Sequence, residues 1–152
     1  MTEVKSIWNN ANKFLFVLPY RSITDFKSNL KAIDSLTTLK EDVSVIAIVS
    51  PEQKIEGLTK IDNVYYLSKK QFNLIGILKN TEVKELTSRK FDLLFVLDNL
   101  EGKIEKLIRN VKNVRSVGVN SNNNFLTIKV NSKNSAAEHL FNFAKQTLEK
   151  IN

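Results

Sequence analysis

The chain has 152 residues, 42% of them hydrophobic, and a formal net charge of +7. This length predicts one domain spanning residues 1–152, with enough apolar residues to bury a core. The sequence has no cysteine, which excludes disulfides and cysteine-ligated zinc and is typical of a reducing compartment. It begins without the pattern of a signal peptide, and no apolar run is long enough to span a membrane. We therefore expect a cytoplasmic protein that does not associate with membranes.

Apolar runs of strand length alternate along the chain with segments of helical period. Strands are predicted at residues 14–18, 43–49, 63–67, 91–98, 114–119 and 125–130. Helices are predicted at residues 3–12, 22–36, 68–78, 81–89, 99–111 and 135–151.

The boundaries of these elements carry specific signals. Pro19 is expected to end the first strand, and Ser22 and Asn99 are expected to cap helices. Capping boxes are also predicted, one at residues 68–71 and one at residues 135–138. On the first helix Trp8 is expected to cover the core, with docking of a partner as the alternative.

The most informative stretch is residues 91–98, Phe-Asp-Leu-Leu-Phe-Val-Leu-Asp, which is apolar almost without a break. Such a run predicts a strand buried on both faces, and these strands belong to parallel sheets covered by helices. Because strand and helix alternate throughout, we predict an α/β fold: a three-layer, Rossmann-like, mostly parallel sheet with helices on both faces. Ligands of such sheets bind at the carboxyl ends of the strands, where Asp98 is expected to lie.

Most groups that carry out nucleophilic or phosphate chemistry are missing from the sequence. There is no cysteine and no Gly-x-Ser-x-Gly motif, and the single histidine, His139, falls inside the last predicted helix, where a surface or boundary position is expected. With only four glycines, neither a Gly-x-Gly-x-x-Gly motif nor a Walker motif can be built. The composition therefore argues against catalysis through these groups.

Two carboxylates are the remaining candidates for a functional site. Asp25 follows the first predicted strand and Asp98 ends the strand at residues 91–98, so adjacent parallel strands would bring both to one rim. There they could hold a divalent metal ion with water completing its shell. The alternative, which we favour, is that Asp25 belongs to a helix cap and Asp98 precedes a turn.

The net charge has two interpretations. Lysine and arginine are scattered along the chain, so solvated surface lysines account for most of the charge. The alternative is an anionic partner such as nucleic acid. Clustering of Lys13, Arg21, Lys27 and Lys31 near one rim of the sheet would favour that alternative.

In the order of these features the chain resembles the N-terminal domain of DHH-family phosphoesterases, which include nano-RNases. Residues 11–18 look like the first strand of that family, and Asp25 falls at the second aspartate of its Asp-x-Asp motif. The strand ending at Asp98 is similar to the second motif, and residues 117–123 occupy the position of the Asp-His-His signature. The resemblance implies a Rossmann-like fold and a site for two manganese ions.

The ligands of that metal site are largely replaced in this chain. Ile23 stands in place of the first aspartate, and the signature triplet is Gly118, Val119 and Asn120. These side chains cannot supply the imidazole and carboxylate ligands of a manganese pair. We expect no resident cofactor, and at most one weakly held Mg²⁺ or Mn²⁺ ion at Asp25 and Asp98.

A second resemblance is to the N-terminal half of lipopolysaccharide heptosyltransferases. Residues 23–26, Ile-Thr-Asp-Phe, look like the Ile-Gly-Asp segment of that family, and residues 91–94 and 117–119 also suit it. The resemblance implies that Asp25 would be the general base. Thr24 replaces the glycine, however, and we expect no donor-nucleotide half.

We rank three functions. The first is a non-catalytic, DHH-like α/β module that acts through contacts with a protein partner or a second copy of itself, with an exposed apolar patch. The second is a nucleic-acid-binding relic of a phosphodiesterase, recognisable by salt-sensitive oligonucleotide binding. The third is a residual metal phosphoesterase or a heptosyltransferase-like acceptor half that uses Asp25 and Asp98. The ranking favours a protein that is not an enzyme.

Overall fold

A computed structural model describes residues 6–133 and 136–151, without the side chains of residues 137 and 138. The strands are β1 (Lys13–Tyr20), β2 (Asp42–Val49), β3 (Val64–Leu67), β4 (Lys90–Leu97), β5 (Lys112–Val119) and β6 (Ile128–Val130). The helices are α1 (Ile7–Asn10), α2 (Ile23–Leu36), α3 (Thr81–Thr87), α4 (Gly102–Arg109) and α5 (Ala137–Glu149). Single 3₁₀ turns lie at Ile55–Gly57 and Lys69–Gln71.

All six strands belong to one sheet in the order β3-β2-β1-β4-β5-β6, and every neighbouring pair is parallel. This order is that of a doubly wound, Rossmann-like sheet. The predicted α/β class is therefore confirmed, and the sheet is wholly rather than mostly parallel. Strands β1 and β4 lie at the centre and pair directly, as the argument about Asp25 and Asp98 required.

Helices cover both faces of the sheet, and each face has its own core. Side chains of β1 alternate between the two: Phe14 and Phe16 pack on one side, and Leu15 and Val17 on the other. The first core also contains buried residues of α1, α2 and α5, and the second contains those of α3 and α4. This burial on both faces explains the near-continuous apolar runs of the central strands.

The short helix α1 closes one end of the first core. Trp8 is 4% exposed and packs edge-on against Phe14, with ring centroids 5.1 Å apart. The ammonium groups of Lys40 and Lys145 lie 5.7 and 5.4 Å from the centre of the indole ring. The expectation that Trp8 covers the core is therefore confirmed.

Two strand predictions need correction. Strand β1 does not stop at Pro19 but continues to Tyr20. It can do so because pairing with β4 ends at Val17, so that beyond this point only β2 accompanies it. A proline is tolerated where one side of a strand has no ladder to complete. The last strand is shorter than predicted, because β6 covers only Ile128–Val130 at the edge of the sheet.

Three helix predictions also need correction. Residues 72–78 form a loop and not a helix, although Ser68 and Gln71 do make a capping box around one 3₁₀ turn. Asn99 does not cap α4, whose N-cap is Glu101. The last predicted helix includes Ile151, but Ile151 lies beyond α5 and is 36% exposed.

The predicted capping box at residues 135–138 includes Ser135, which lies outside the described residues; the described N-cap of α5 is Ala136. His139 is exposed on α5, as expected. Within the described part of the chain, every helix is too short or too polar to cross a bilayer.

Candidate functional site

The strand order reverses at the carboxyl ends of β1 and β4, and in open α/β sheets such a point opens a crevice that binds ligands. Here the crevice is bridged by an ion pair. Arg21 follows β1, Asp98 follows β4, and the guanidinium of Arg21 donates a hydrogen bond to the carboxylate of Asp98. This pair joins the ends of the two central strands.

Asp98 is held by its backbone as well as by Arg21. Its φ of 65° lies in the left-handed region, and its N–H donates to the carbonyl of Val119 over 3.0 Å. Aspartate is one of the few non-glycine residues that adopts this conformation readily. The carboxylate that the sequence offered as a metal ligand is thus engaged by an arginine at a turn.

Asp25 lies in the first turn of α2, where its N–H donates to Ser22 Oγ over 3.1 Å. This confirms Ser22 as the helix cap, and the position suits a carboxylate because the amino end of a helix carries partial positive charge. Its Oδ2 atom is buried and has no hydrogen-bond partner among the described residues. Across those residues no group of three or more histidines and carboxylates could hold a metal ion.

The residues at the Asp-His-His position serve the packing and the turns of the fold. Gly118 packs so closely against Leu126 that a β-carbon added at position 118 would lie 2.5 Å from Leu126 Cδ1. Val119 is buried. Asn120 has a φ of 54° and its Oδ1 accepts the N–H of Ser132 over 2.8 Å. These residues do not fit a manganese pair.

The four basic residues considered for nucleic acid do not gather at one rim. Lys13 begins β1 and Arg21 follows its last residue, so they lie at opposite ends of an eight-residue strand, roughly 25 Å apart. Lys27 and Lys31 are exposed one turn apart on α2. The structure therefore brings together Lys27 and Lys31, and separates Lys13 from Arg21.

A cleft of ≈ 870 Å³ opens at the carboxyl edge of the sheet, beside the ion pair of Arg21 and Asp98. Its walls come from the ends of β1 and β2, the 3₁₀ turn after β3 and the start of α4. Three lysines line it: Lys69, Lys70 and Lys103. No local sequence pattern predicts this cleft, because its residues come from four separate segments.

The loops after β4 and β5 are clamped together beside the cleft by asparagines. Asn123 Oδ1 accepts the N–H of Leu100 over 2.8 Å, and its Nδ2 donates to the Leu100 carbonyl over 2.9 Å. Asn99 Oδ1 accepts the N–H of Asn122 over 2.7 Å. These bonds replace the helix cap predicted for Asn99 and fix the shape of the cleft wall.

An exposed loop of residues 73–77, here called the apolar loop, projects next to the cleft. Leu74 is fully exposed, Ile75 is 84% exposed and Ile77 is 53% exposed. Four exposed lysines surround it in sequence or in space: Lys69, Lys70, Lys79 and Lys103. An exposed apolar group with a polar rim is typical of an interaction surface.

The apolar loop has a fixed frame. The two residues that flank it, Phe72 and Leu78, pair with each other and are buried in the second core. Asn73 Oδ1 accepts the N–H groups of Ile75 and Ile77, both over 2.9 Å, and Gly76 adopts a φ of 89°. Asn73 and Gly76 were the signals that could have indicated a turn here, because both residues favour turns over helix.

The sequence of the chain matches one family model over residues 2–150, described as "Family of unknown function (DUF6913)". The match covers nearly the whole chain, and the chain belongs to this family. No curated protein matches its sequence.

Solved structures of two kinds share the fold. A glycosyl transferase of family 9 from Veillonella parvula matches with a TM-score of 0.59 at 17% identity, over 92% of this chain and 42% of that one. The E. coli heptosyltransferase WaaC matches with a TM-score of 0.55 at 12% identity, over 91% and 49%. An exopolyphosphatase-related protein from Bacteroides fragilis matches with a TM-score of 0.53 at 17% identity, over 96% and 45%.

These structures echo both resemblances drawn from the sequence, and they share the Rossmann-like α/β fold. The chain spans less than half the length of each of the three proteins. At identities of 17% or below the similarity is one of fold, and it does not choose between the two ancestries.

Proposed function

We propose that this chain is a non-catalytic α/β binding module that acts through protein contacts, with the apolar loop as its docking element. The observation that carries the proposal is the exposure of Leu74, Ile75 and Ile77 on a loop whose frame is ordered by hydrogen bonds. Burying each of these side chains in a partner would contribute about 1.5–3 kcal/mol. Because the frame is already ordered, little of that gain is lost to immobilising the loop.

The site chemistry supports binding over catalysis. The carboxylate of Asp98, which lies where the strand order reverses, is paired with Arg21. The triplet at residues 118–120, which stands at the position of the Asp-His-His signature, serves packing and a turn. The side chains that line the neighbouring cleft are mainly apolar groups and lysines.

The rim of the loop indicates the chemistry of the partner. Lys69, Lys70, Lys79 and Lys103 are exposed, and none makes an ion pair within the described part of the chain. A partner with an apolar groove and an acidic rim would match both the exposed apolar side chains of the loop and the lysines around them. A second copy of the chain would bring the same lysines and a further net charge of +7, so like charges oppose self-association.

Site-specific photo-crosslinking in the cells that produce the protein tests this proposal. A photoreactive residue at position 75 is expected to capture a protein with an acidic surface, identified by mass spectrometry. The matched control is position 39, where Leu39 is 93% exposed in the turn between α2 and β2. Capture of the same protein at both positions, of a second copy of the chain, or of lipid would count against the proposal.

The other two functions have less support. Oligonucleotide binding stays a prediction, and the separation of Lys13 from Arg21 removes the clustering that would have favoured it. A glycosyltransferase or phosphoesterase activity would rest on structures that share the fold and extend over more than twice the length.

A further inference from the structure

We propose that the cleft at the carboxyl edge is a binding site for a small organic phosphate with an apolar or aromatic body. No part of this inference depends on the docking role of the apolar loop. It rests on the size of the cleft, its position and the two kinds of side chain that line it.

The cleft has the dimensions and location of a ligand site. Its volume of ≈ 870 Å³ falls in the range of about 300–1,000 Å³ that is typical of small-molecule pockets. It lies at the carboxyl ends of β1 and β2, beside the point where the strand order reverses. Open α/β sheets bind ligands at this place because the loops diverge there.

The floor of the cleft is apolar. Ile48, Pro51, Leu100 and Ile104 line it together with Tyr20. Leu100 and Ile104 are each 8% exposed and belong to the second core, so this part of the wall is fixed by packing. Such a floor favours the hydrocarbon or ring portion of a ligand.

The rim of the cleft is positively charged. Lys69 and Lys70 make no ion pair or side-chain hydrogen bond within the described residues, and Lys103 Nζ donates to the Asn73 carbonyl over 3.0 Å. An ammonium group has three donors, so Lys103 keeps two for a ligand. Three ammonium groups around an apolar floor match a ligand with a phosphate at one end.

Two carboxylates lie near these lysines and limit the charge. Glu101 lines the cleft. The pKa of Glu52 is lowered chiefly by a backbone hydrogen bond and the hydroxyl of Ser50, with smaller contributions from the charges of Lys69 and Lys70. Three lysines against two carboxylates leave the rim positive. Dianionic phosphate would gain from this excess more than a monocarboxylate would.

Isothermal titration calorimetry on the full chain tests the proposal, with phenyl phosphate and ADP as probes and inorganic phosphate as the comparison. Both organic probes are expected to bind, and more tightly than inorganic phosphate. Lys70→Gln and Lys103→Gln should each weaken binding by about fivefold or more. The matched control is Lys106→Gln, because Lys106 is exposed on the same helix as Lys103 and does not line the cleft.

Three results would overturn the inference. Failure of both organic probes to bind would show that the cleft is not a site for organic phosphates. Equal affinity for inorganic phosphate would show that the apolar floor does not contribute to binding. Equal weakening by Lys106→Gln would show that the lysines act only through the overall charge of the protein. Thermal unfolding of each variant, together with amide shifts in NMR spectra, distinguishes loss of the site from loss of the fold.

Discussion

Asp92 ties the amino end of β4 to the amino end of β1. Its Oδ2 atom accepts the N–H groups of Asn12 and Lys13 over 2.9 and 3.0 Å. Burial raises the pKa of Asp92, but the two hydrogen bonds and the charges of Lys13 and Lys90 together lower it by more than burial raises it. The pKa of Asp92 in the fold is therefore below the ordinary value. The ionised form therefore stabilises the folded chain above the unfolded pKa, and this contribution is lost as the pH falls through the folded pKa.

Asp92→Asn is expected to lower the free energy of unfolding at pH 7 by about 1 kcal/mol, since a hydrogen bond to a partly exposed charge is replaced by a neutral one. The difference from the unmodified chain should shrink as the pH falls below about 4. Urea unfolding at pH 7 and at pH 3 measures it, with Asp62→Asn at an exposed position as the control. A difference of equal size at both pH values would contradict the role given to ionised Asp92.

Single residues at the carboxyl edge show how far the sequence could predict the site. The apolar run placed Asp98 at the end of a central strand, because a buried strand and its terminus are local features. Its partner, Arg21, lies 77 positions away in the chain, and no local pattern connects the two. The same limit applies to Asn99, whose partner is Asn122, 23 positions away.

At the scale of elements, the apolar loop depends on one side chain. Asn73 Oδ1 satisfies two backbone N–H groups, and the backbone of Asn73 exchanges further bonds with Ile77 and Gly76. An asparagine side chain that takes up backbone donors competes with helix formation. This competition explains why the capping box at residues 68–71 starts a single 3₁₀ turn and not the predicted helix.

Asn73→Ala is expected to loosen the apolar loop without unfolding the domain, because its side-chain bonds are local and its flanking residues Phe72 and Leu78 remain buried. Native-state hydrogen exchange should show the amides of Ile75 and Ile77 exchanging about tenfold faster or more. Amides of β1 and β4 should be unchanged, and they serve as the internal control. Unchanged exchange in the loop would show that the frame does not depend on Asn73.

At the scale of the whole molecule, the fold class was the most predictable property. Alternation of strand and helix and the apolar character of residues 14–18 and 91–98 were sufficient for a parallel sheet with helices on both faces. The order of the strands, the cleft and the projection of the apolar loop depend on how distant segments meet. The strand order and the cleft therefore cannot be read from any one segment, whereas the turn in the apolar loop has local signals at Asn73 and Gly76.

The charge of the molecule also acts at this scale. A net charge of +7 favours fast association with an acidic partner and disfavours self-association. Exposed lysines beside the apolar loop place part of that charge at the proposed docking surface, whereas Lys13 lies at the other end of β1.

If the apolar loop docks a protein partner, the affinity of the partner captured at position 75 depends on the side chains of this loop. The dissociation constant is measured with the purified partner for the unmodified chain, for Ile75→Ser and for Leu39→Ser, an equally apolar and exposed position. Ile75→Ser is expected to weaken binding about tenfold or more, and Leu39→Ser to change it by less than about twofold. Equal effects of the two substitutions, or no effect of Ile75→Ser, would show that the partner does not dock on the apolar loop.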